Sequence, residues 1–459
     1  MDNLGNRQLQ LIERSHVFLV AEARRGVDVA IAPECYLSGW ARAPGYARLR
    51  NLGGEWGSAA ALLVARIKDA LNVARHSGYE VVSGGASVSG FERLAVSWSR
   101  GGDFASDGSY LDRYFRTSSR QTPRTLWLLI ALDQTCPERL APNVRVLRRR
   151  PGTPRFDVWH LVRCAALALR SSTRSIDGAV PALSAAVSIA TELVAVVEAL
   201  VDAGTFSAVV LPYEAQPFQH AVFRAVKRRN WSIATVGYLH SALPPLPTDL
   251  IHRVGAPELL LVHGRGQVEI LALRLGWPRS GLQTIPSLRY RVTDADPLGG
   301  FIFLPYAFGA ARVIETAFRH FLLAAEPGTL PKLVVRNHPV MQDSKPHRRL
   351  QRSLEAEMRA HSDRFTDGPR TMSVFIGATA AILEALERGV AVIHISSNPL
   401  MESHSAQVWA GLEIERLGEY VFRYRLPVRG IYIEFGVETD NFERCLGQKL
   451  QTHHGRKCG

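Results

Sequence analysis

The chain has 459 residues, 46% hydrophobic and 8% aromatic, which is too long for one hydrophobic core and predicts two or three domains of ordinary globular composition. A formal charge of +13 calls for an anionic partner: nucleic acid, a phosphorylated small molecule or the acidic face of a membrane. Five scattered cysteines (Cys35, Cys136, Cys164, Cys445, Cys458) without CxxC spacing argue against a disulfide framework and a structural zinc site.

In chain order, Met1-Asp2-Asn3-Leu4-Gly5-Asn6 lacks a basic segment followed by an apolar core, so no secretory signal is expected and the protein is placed in the cytoplasm. Val17 to Ala21 and Val27 to Ala32 look like strands, the second closed by Pro33-Glu34, and Ala59 to Arg75 has helical spacing. Glu80-Val81-Val82 is a strand before a glycine turn, Ser97 to Arg120 a polar loop or short helix, and Leu126 to Leu132 a fully buried strand. Arg145 to Arg155 is a basic connector whose Arg148-Arg149-Arg150 reads as solvated surface, with membrane phosphate as the minority reading. Ala179 to Val201 is the most apolar long segment, but Pro181, Glu192 and Glu198 make it a buried or amphipathic helix, not a membrane span.

From about residue 180 strands and helices alternate. Strands at 207–211 and 232–236 are separated by a helix at 218–230; a proline-rich loop leads to the strand at 258–263, and a helix at 266–275 follows it. After a Gly- and Asp-rich linker, strands at 301–305, 333–336, 372–376 and 390–395 alternate with helices at 309–325, 346–360 and 378–388. Such alternation gives parallel sheets covered on both faces, with ligands in the cleft at the strands' carboxyl ends. The expected division is a first α/β domain (1–290), a linker (291–300), a second α/β domain (301–440) and a disordered basic tail (441–459). Residues 420–425 and 430–435 read as strands or as chain packing back on the first domain.

Two strand ends carry the chemistry. The run Leu333-Val334-Val335 empties into Arg336-Asn337-His338-Pro339; guanidinium and imidazole suit a phosphate, and proline fixes where the strand stops. The bland alternative is an ordinary polar strand end. The strand from Ser373 ends at Gly377, and Ala378-Thr379-Ala380-Ala381 leads into a helix carrying Glu384; small residues at a helix start leave backbone N–H groups for an anion. Its bland alternative is a close-packed turn.

With these residues the C-terminal half resembles the donor half of bacterial GT-B glycosyltransferases of surface-polysaccharide synthesis, a set with sialyl-, polysialyl- and Kdo-transferases. His338-Pro339 and Thr379 or Ser373 match, by type and order, the His-Pro and Ser/Thr motifs with which the CMP-sugar enzymes hold nucleotide phosphate. Tyr238-Leu239-His240-Ser241 and Ile285-Pro286-Ser287-Leu288-Arg289-Tyr290 resemble the end of their acceptor half. The resemblance covers roughly 180–400. It implies an α/β, GT-B-like fold of two Rossmann-like doubly wound domains facing a central cleft. The implied donor-binding set is Arg336, Asn337, His338, Pro339, Ser373, Gly377, Thr379 and Glu384. The implied activity is transfer of a sugar, preferably a CMP-activated acidic one, to a glycan or lipid-linked acceptor at the inner face of an anionic membrane. Apart from the nucleotide-sugar co-substrate no cofactor is expected.

The sequence departs from that family in one respect: the first half has no acidic pair followed by glycine to supply the base. Glu214, just past the strand 207–211, is the first substitute, its pKa expected to rise through burial beside Tyr213 and Phe218; the alternative role is a first-turn helix glutamate. His240, ending the next strand, is the second, against a structural turn histidine. Glu34 and Glu55 are weaker candidates. No DxD pair is placed for a metal, so metal-independent displacement is expected. Rival readings are a UDP-sugar transferase, a UDP-sugar 2-epimerase and a non-catalytic binding protein. Nucleic acid is disfavoured because the basic residues are dispersed without interleaved aromatics.

Overall fold

Short strands with apolar side chains on both faces need helices on both sides, and the chain builds two such sheets. The computed structural model describes residues 3–32, 35–37, 44–55, 64, 78–85, 87–133, 135–150, 185–293, 298–437 and 441–447. The helix expected at 59–75, Glu34 and the far tail lie outside the described residues, Val64 apart.

The first sheet comprises β1 (Tyr79–Ser83), β2 (Arg93–Ser99), β3 (Thr125–Ala131), β4 (Val144–Arg149), β5 (Ala208–Pro212), β6 (Ala234–Tyr238), β7 (Leu259–Val262) and β8 (Leu282–Thr284). Their order is β1-β4-β3-β2-β5-β6-β7-β8, with β1 antiparallel and all other pairings parallel. Alternate residues of each strand enter different cores. Leu94, Leu126 and Val209 join one, and Ala95, Trp127 and Val210 the other, which is the period of two expected of a sheet buried on both faces. The chain walks outward through β2, β3 and β4 and then, in the opposite direction, through β5, β6 and β7. Strand order therefore reverses between β2 and β5, and a crevice opens there beyond the carboxyl ends.

Helices α1 (Asn3–Arg24), α2 (Ala185–Ala203), α3 (Pro217–Arg229) and α4 (Arg265–Arg274) accompany this sheet. Strand β9 (Ser287–Arg291) leads toward the second unit. There β10 (Phe301–Phe303), β11 (Val334–Arg336), β12 (Met372–Ile376), β13 (Ala391–Ile395), β14 (Glu413–Arg416) and β15 (Val421–Arg425) form a sheet in the order β11-β10-β12-β13-β15-β14. The first four are parallel, and β15 and β14 are added antiparallel. Here the reversal falls between β10 and β12. Helices α5 (Ala311–Ala324), α6 (Lys345–Ala360) and α7 (Ala381–Glu387) complete the unit.

The two units share one core containing both Val209 and Phe375. Trp409 Nε1 donates to Pro245 O at 2.8 Å, and Gln8 Nε2 donates to Ser403 O at 2.7 Å. The chain then returns: Glu387 of α7 accepts the backbone N–H of Tyr432 at 2.7 Å, and β16 (Phe435–Gly436) pairs with β9.

Five sequence expectations are corrected. Val17 to Ala21 lies inside α1, where Leu11, Ile12, Ser15, Leu19 and Glu22 are buried at helical spacing. Val27 to Ala32 is a turn segment without a strand. The loop expected from Ser97 and the connector from Arg145 both begin inside strands, β2 and β4. In β4 Arg145 is buried and gives Nη1 to Pro142 O at 2.9 Å, and Arg148 pairs with Glu80 of β1 at 2.7 Å. Finally, residues 442–447 are helical, with Phe442, Cys445 and Leu446 buried in the first unit's core, so the tail does not begin at 441.

Candidate active site

The first crevice is built by a strained turn. From the end of β5 the chain passes through Tyr213-Glu214-Ala215-Gln216 into α3, and Ala215 has φ +56°, a left-handed conformation that costs a non-glycine residue about 1 kcal/mol or more. The fully buried Gln219 holds the turn: it accepts the N–H groups of Glu214 (3.0 Å) and Gln216 (2.9 Å) and donates to Pro212 O (2.6 Å). Arg253 donates to Ala215 O at 3.4 Å. The turn aims the Glu214 carboxylate at His240, just beyond β6.

Glu214 Oε1 lies 3.2 Å from His240 Nε2; the imidazole is 3% exposed and the carboxylate 24%. Gln216 Nε2 donates to the other oxygen at 2.7 Å, and the Tyr114 ring meets the imidazole edge-on, centroids 4.4 Å apart. Nε2 thus carries the hydrogen toward the carboxylate, and buried Nδ1 has no partner among the described residues. Burial pulls the Glu214 carboxyl upward, but His240, Gln216 and the Arg289 charge together hold it below the ordinary carboxylate value. This reverses the sequence expectation of a raised pKa: the carboxylate is ionised at neutral pH and is the part of the pair that solvent reaches.

A second carboxyl lies close by. Burial pushes Asp249 well above the usual carboxylate range against the pull of Arg253, and Glu214 adds to the rise. Two neighbouring carboxyls whose surroundings drive their pKa values apart form an acid–base arrangement. Asp249 Oδ1 and Arg253 Nε are both buried without partners.

The second crevice lies where β10 runs out through Leu304-Pro305-Tyr306 and β12 ends at Gly377. Gly377 has φ +64°, and a Cβ there would stand 3.1 Å from the Pro305 ring, so the close approach of the two loops needs glycine. Buried histidines pin both loops: His347 Nε2 lies 2.9 Å from Pro305 O and His394 Nε2 2.9 Å from Gly377 O. His338 follows β11, its ring 5.6 Å from that of Tyr306. Its Nδ1 accepts the Val340 N–H at 3.3 Å, so the proton sits on Nε2 as an outward donor. Burial, then His347, lowers its pKa, so the ring is a neutral donor at pH 7. Pro339 opens a one-turn 3-10 helix. Thr379 Oγ1 accepts Ala381 N–H at 3.3 Å just before α7, which begins at Ala381 and has seven residues, so little helix dipole faces the crevice.

Other donor-site candidates fall elsewhere. Ser373 is fully buried at the start of β12, away from its carboxyl end, where its hydroxyl accepts Phe301 N–H at 3.0 Å and donates to Leu298 O. Ser373→Ala is therefore expected to cost about 1–2 kcal/mol of stability and to leave nucleotide affinity unchanged, as denaturant titration and nucleotide binding would measure. The Arg336 guanidinium lies over the Phe301 and Phe303 rings, 5.1 and 5.9 Å from their centroids, back along the sheet face. Asn337 Nδ2 is tied to Gln351 at 2.6 Å. Glu384 pairs with Arg388 at 3.2 Å and acts electrostatically on Arg289, while Arg388 Nη2 donates to Arg291 O at 3.2 Å. These residues tie α7 to β9 of the first unit. Glu55 bonds Asn398 at 2.7 Å and pairs with Arg50, a brace between units.

Tyr114, Asp249, Arg289 and Tyr306 were not picked out from the sequence. Arg289 stands in a quoted segment, yet its neighbours Glu214 and Glu384 are 75 and 95 positions away along the chain, and no local spacing announces them. Comparisons with protein-family models and with curated proteins found no match.

Proposed function

We propose that the protein is a nucleotide-sugar-dependent glycosyltransferase whose acceptor is activated by Glu214 and whose leaving phosphate is received near His338. The observation that carries the reading is the Glu214–His240 pair on an over-determined, strained turn at the first sheet's reversal point, a place where α/β proteins bind ligands. Helix α7, which follows the second sheet's reversal point, touches β9 of the first unit through Arg388, and Glu384 and Glu214 share the field of Arg289.

In this mechanism the acceptor hydroxyl gives its proton to the Glu214 carboxylate as its oxygen bonds to the anomeric carbon. The bond from that carbon to the nucleotide phosphate oxygen breaks, and its electron pair leaves with the phosphate. Charge growing there is met by the His338 Nε2–H donor and the Thr379 hydroxyl. His240 orients Glu214 and keeps it ionised. The preferred donor, a CMP-activated acidic sugar, rests on the family resemblance alone; a UDP-sugar transferase or epimerase shares the same scaffold.

A thermal-shift panel of CMP, CDP, UDP and GDP tests the reading. CMP is expected to raise Tm, and His338→Ala to remove most of that shift while the unliganded Tm stays within about 2 °C, since His338 is only half-buried. Stabilisation by UDP alone moves the assignment to the UDP-sugar enzymes. Stabilisation by none of the four overturns the nucleotide-sugar reading.

A further inference from the structure

Helix α6 carries a row of charge that its fold does not require. Lys345, Arg348, Arg349, Arg352 and Arg359 are all exposed, and at 100° per residue they fall within a stripe about 100° wide. The stripe lies opposite the buried residues His347, Leu350 and Leu354. None of the five has a carboxylate partner among the described residues; the helix's own acids are used elsewhere, Glu357 on Arg319 and Glu355 on Gln351. Lys345/Arg349 and Arg348/Arg352 are like-charged i,i+4 pairs, which destabilise a helix. The row therefore works against helix stability and extends about 21 Å along the axis.

Exposed apolar side chains flank both ends. Val340, 56% exposed, lies just before the helix. Leu323, 51% exposed, is one turn beyond the Arg319 that is clamped to Glu357. A soluble polyanion gains nothing from exposed valine and leucine, whereas a bilayer of anionic lipid takes cations at its headgroups and apolar side chains at the acyl boundary. We propose that the α6 face of the second unit is a docking surface for anionic membrane lipid, with the cationic row on the headgroups and Val340 and Leu323 at its margins. The cationic row is separate from the Glu214–His240 pair, which belongs to the first unit, and the inference stands whether or not the chain transfers a sugar.

Co-sedimentation of the full chain with vesicles tests it. At about 50 mM salt, where screening is weak, the protein is expected to pellet with phosphatidylcholine vesicles holding about 30% phosphatidylglycerol, and not with phosphatidylcholine alone. Arg348→Glu/Arg349→Glu/Arg352→Glu is expected to lower the partition coefficient at least tenfold. Unchanged circular dichroism checks the fold. A control of equal charge change elsewhere, Arg7→Glu/Arg24→Glu/Arg265→Glu, is expected to lose less than about a third of that, in logarithmic terms. Three results overturn the inference: no binding to the anionic vesicles, equal loss in the control, or retention on dextran sulfate without vesicle binding, which assigns the row to a soluble polyanion.

Discussion

Glu214→Gln is expected to lower kcat by about 10²–10⁴-fold, the usual loss when a positioned base is removed, with the donor KM little changed. Glutamine keeps the size of the side chain, and its one carbonyl oxygen can still accept from His240 Nε2 while its amide nitrogen faces Gln216, but it cannot take a proton. A fall in kcat without a rise in KM marks an interaction made in the transition state. The test that separates catalysis from structure is the pH profile of His240→Gln. His240 is the first of the groups that hold Glu214 below its ordinary value against burial, so weakening that pair lets the carboxyl rise. Stability above the carboxylate range changes little, but the acid limb of kcat/KM moves to higher pH. A variant with lowered activity and an unmoved acid limb would remove Glu214 from the base role. If Glu214→Gln keeps normal turnover, the base is another group, and the neighbouring Asp249, whose carboxyl burial raises, is the next to test.

The same pair shows what could be read in advance. Strand ends are local: an apolar run followed by Pro-Tyr-Glu or Leu-His says where β5 and β6 stop, and both polar residues were legible as site candidates before the sheet was seen. That they meet at 3.2 Å follows from β5 and β6 being adjacent parallel strands, which alternation of strands and helices predicts. The electrostatic outcome was not legible, because it depends on Arg289, far along the chain, and the apolar neighbours Tyr213 and Phe218 pointed to a raised pKa. Polar residues misled in a second way. Ser97 and Ser99 made β2 look like loop, yet Ser97 is buried with its hydroxyl on Asp112 at 2.5 Å; a hydrogen bond to a later turn lets a strand bury what its composition advertises as surface. In α1 the short run from Val17 was too brief to tell a strand from a helix segment, and the wider spacing of Leu11, Ser15, Leu19 and Glu22 decides it. For the donor crevice, type and order suggested Ser373, but only the sheet shows that it sits at the wrong end of β12.

Acid is expected to destabilise the protein well before its carboxylates are protonated, and His404→Phe is expected to blunt the effect. Four of the buried histidines are held neutral by burial. Burial holds His263 at about 3 and His394 at about 4, and drives His220 and His404 well below the usual imidazole value; Arg253 adds to the effect at His220 and His394 at His404. In the unfolded chain each titrates near 6.5. Between roughly pH 6.5 and pH 4 the unfolded state therefore binds more protons, and the stability these groups contribute is present above 6.5 and lost as pH falls toward their folded values. At pH 5.5 one such histidine costs about 1.4 kcal/mol relative to neutral pH. Burial raises the carboxyls of Asp112, Asp249 and Glu402. Those groups act in the opposite direction, gaining stability as pH falls, so the net decline is smaller than four histidines alone would give. His404 separates the contributions. Its ring packs edge-on to Trp409 and Tyr424, centroids 4.7 and 5.4 Å away, and neither ring nitrogen has a hydrogen-bond partner among the described residues. Phenylalanine there forfeits no hydrogen bond and removes two unpaired buried nitrogens, so at pH 7.5 the variant is expected to be at least as stable as the parent. Between pH 7.5 and 5.5 its urea-unfolding free energy should fall by about 1.4 kcal/mol less than the parent's. Parallel declines in the two proteins would mean that His404 is protonated or solvated in the folded state, and would locate the acid sensitivity in the other three rings.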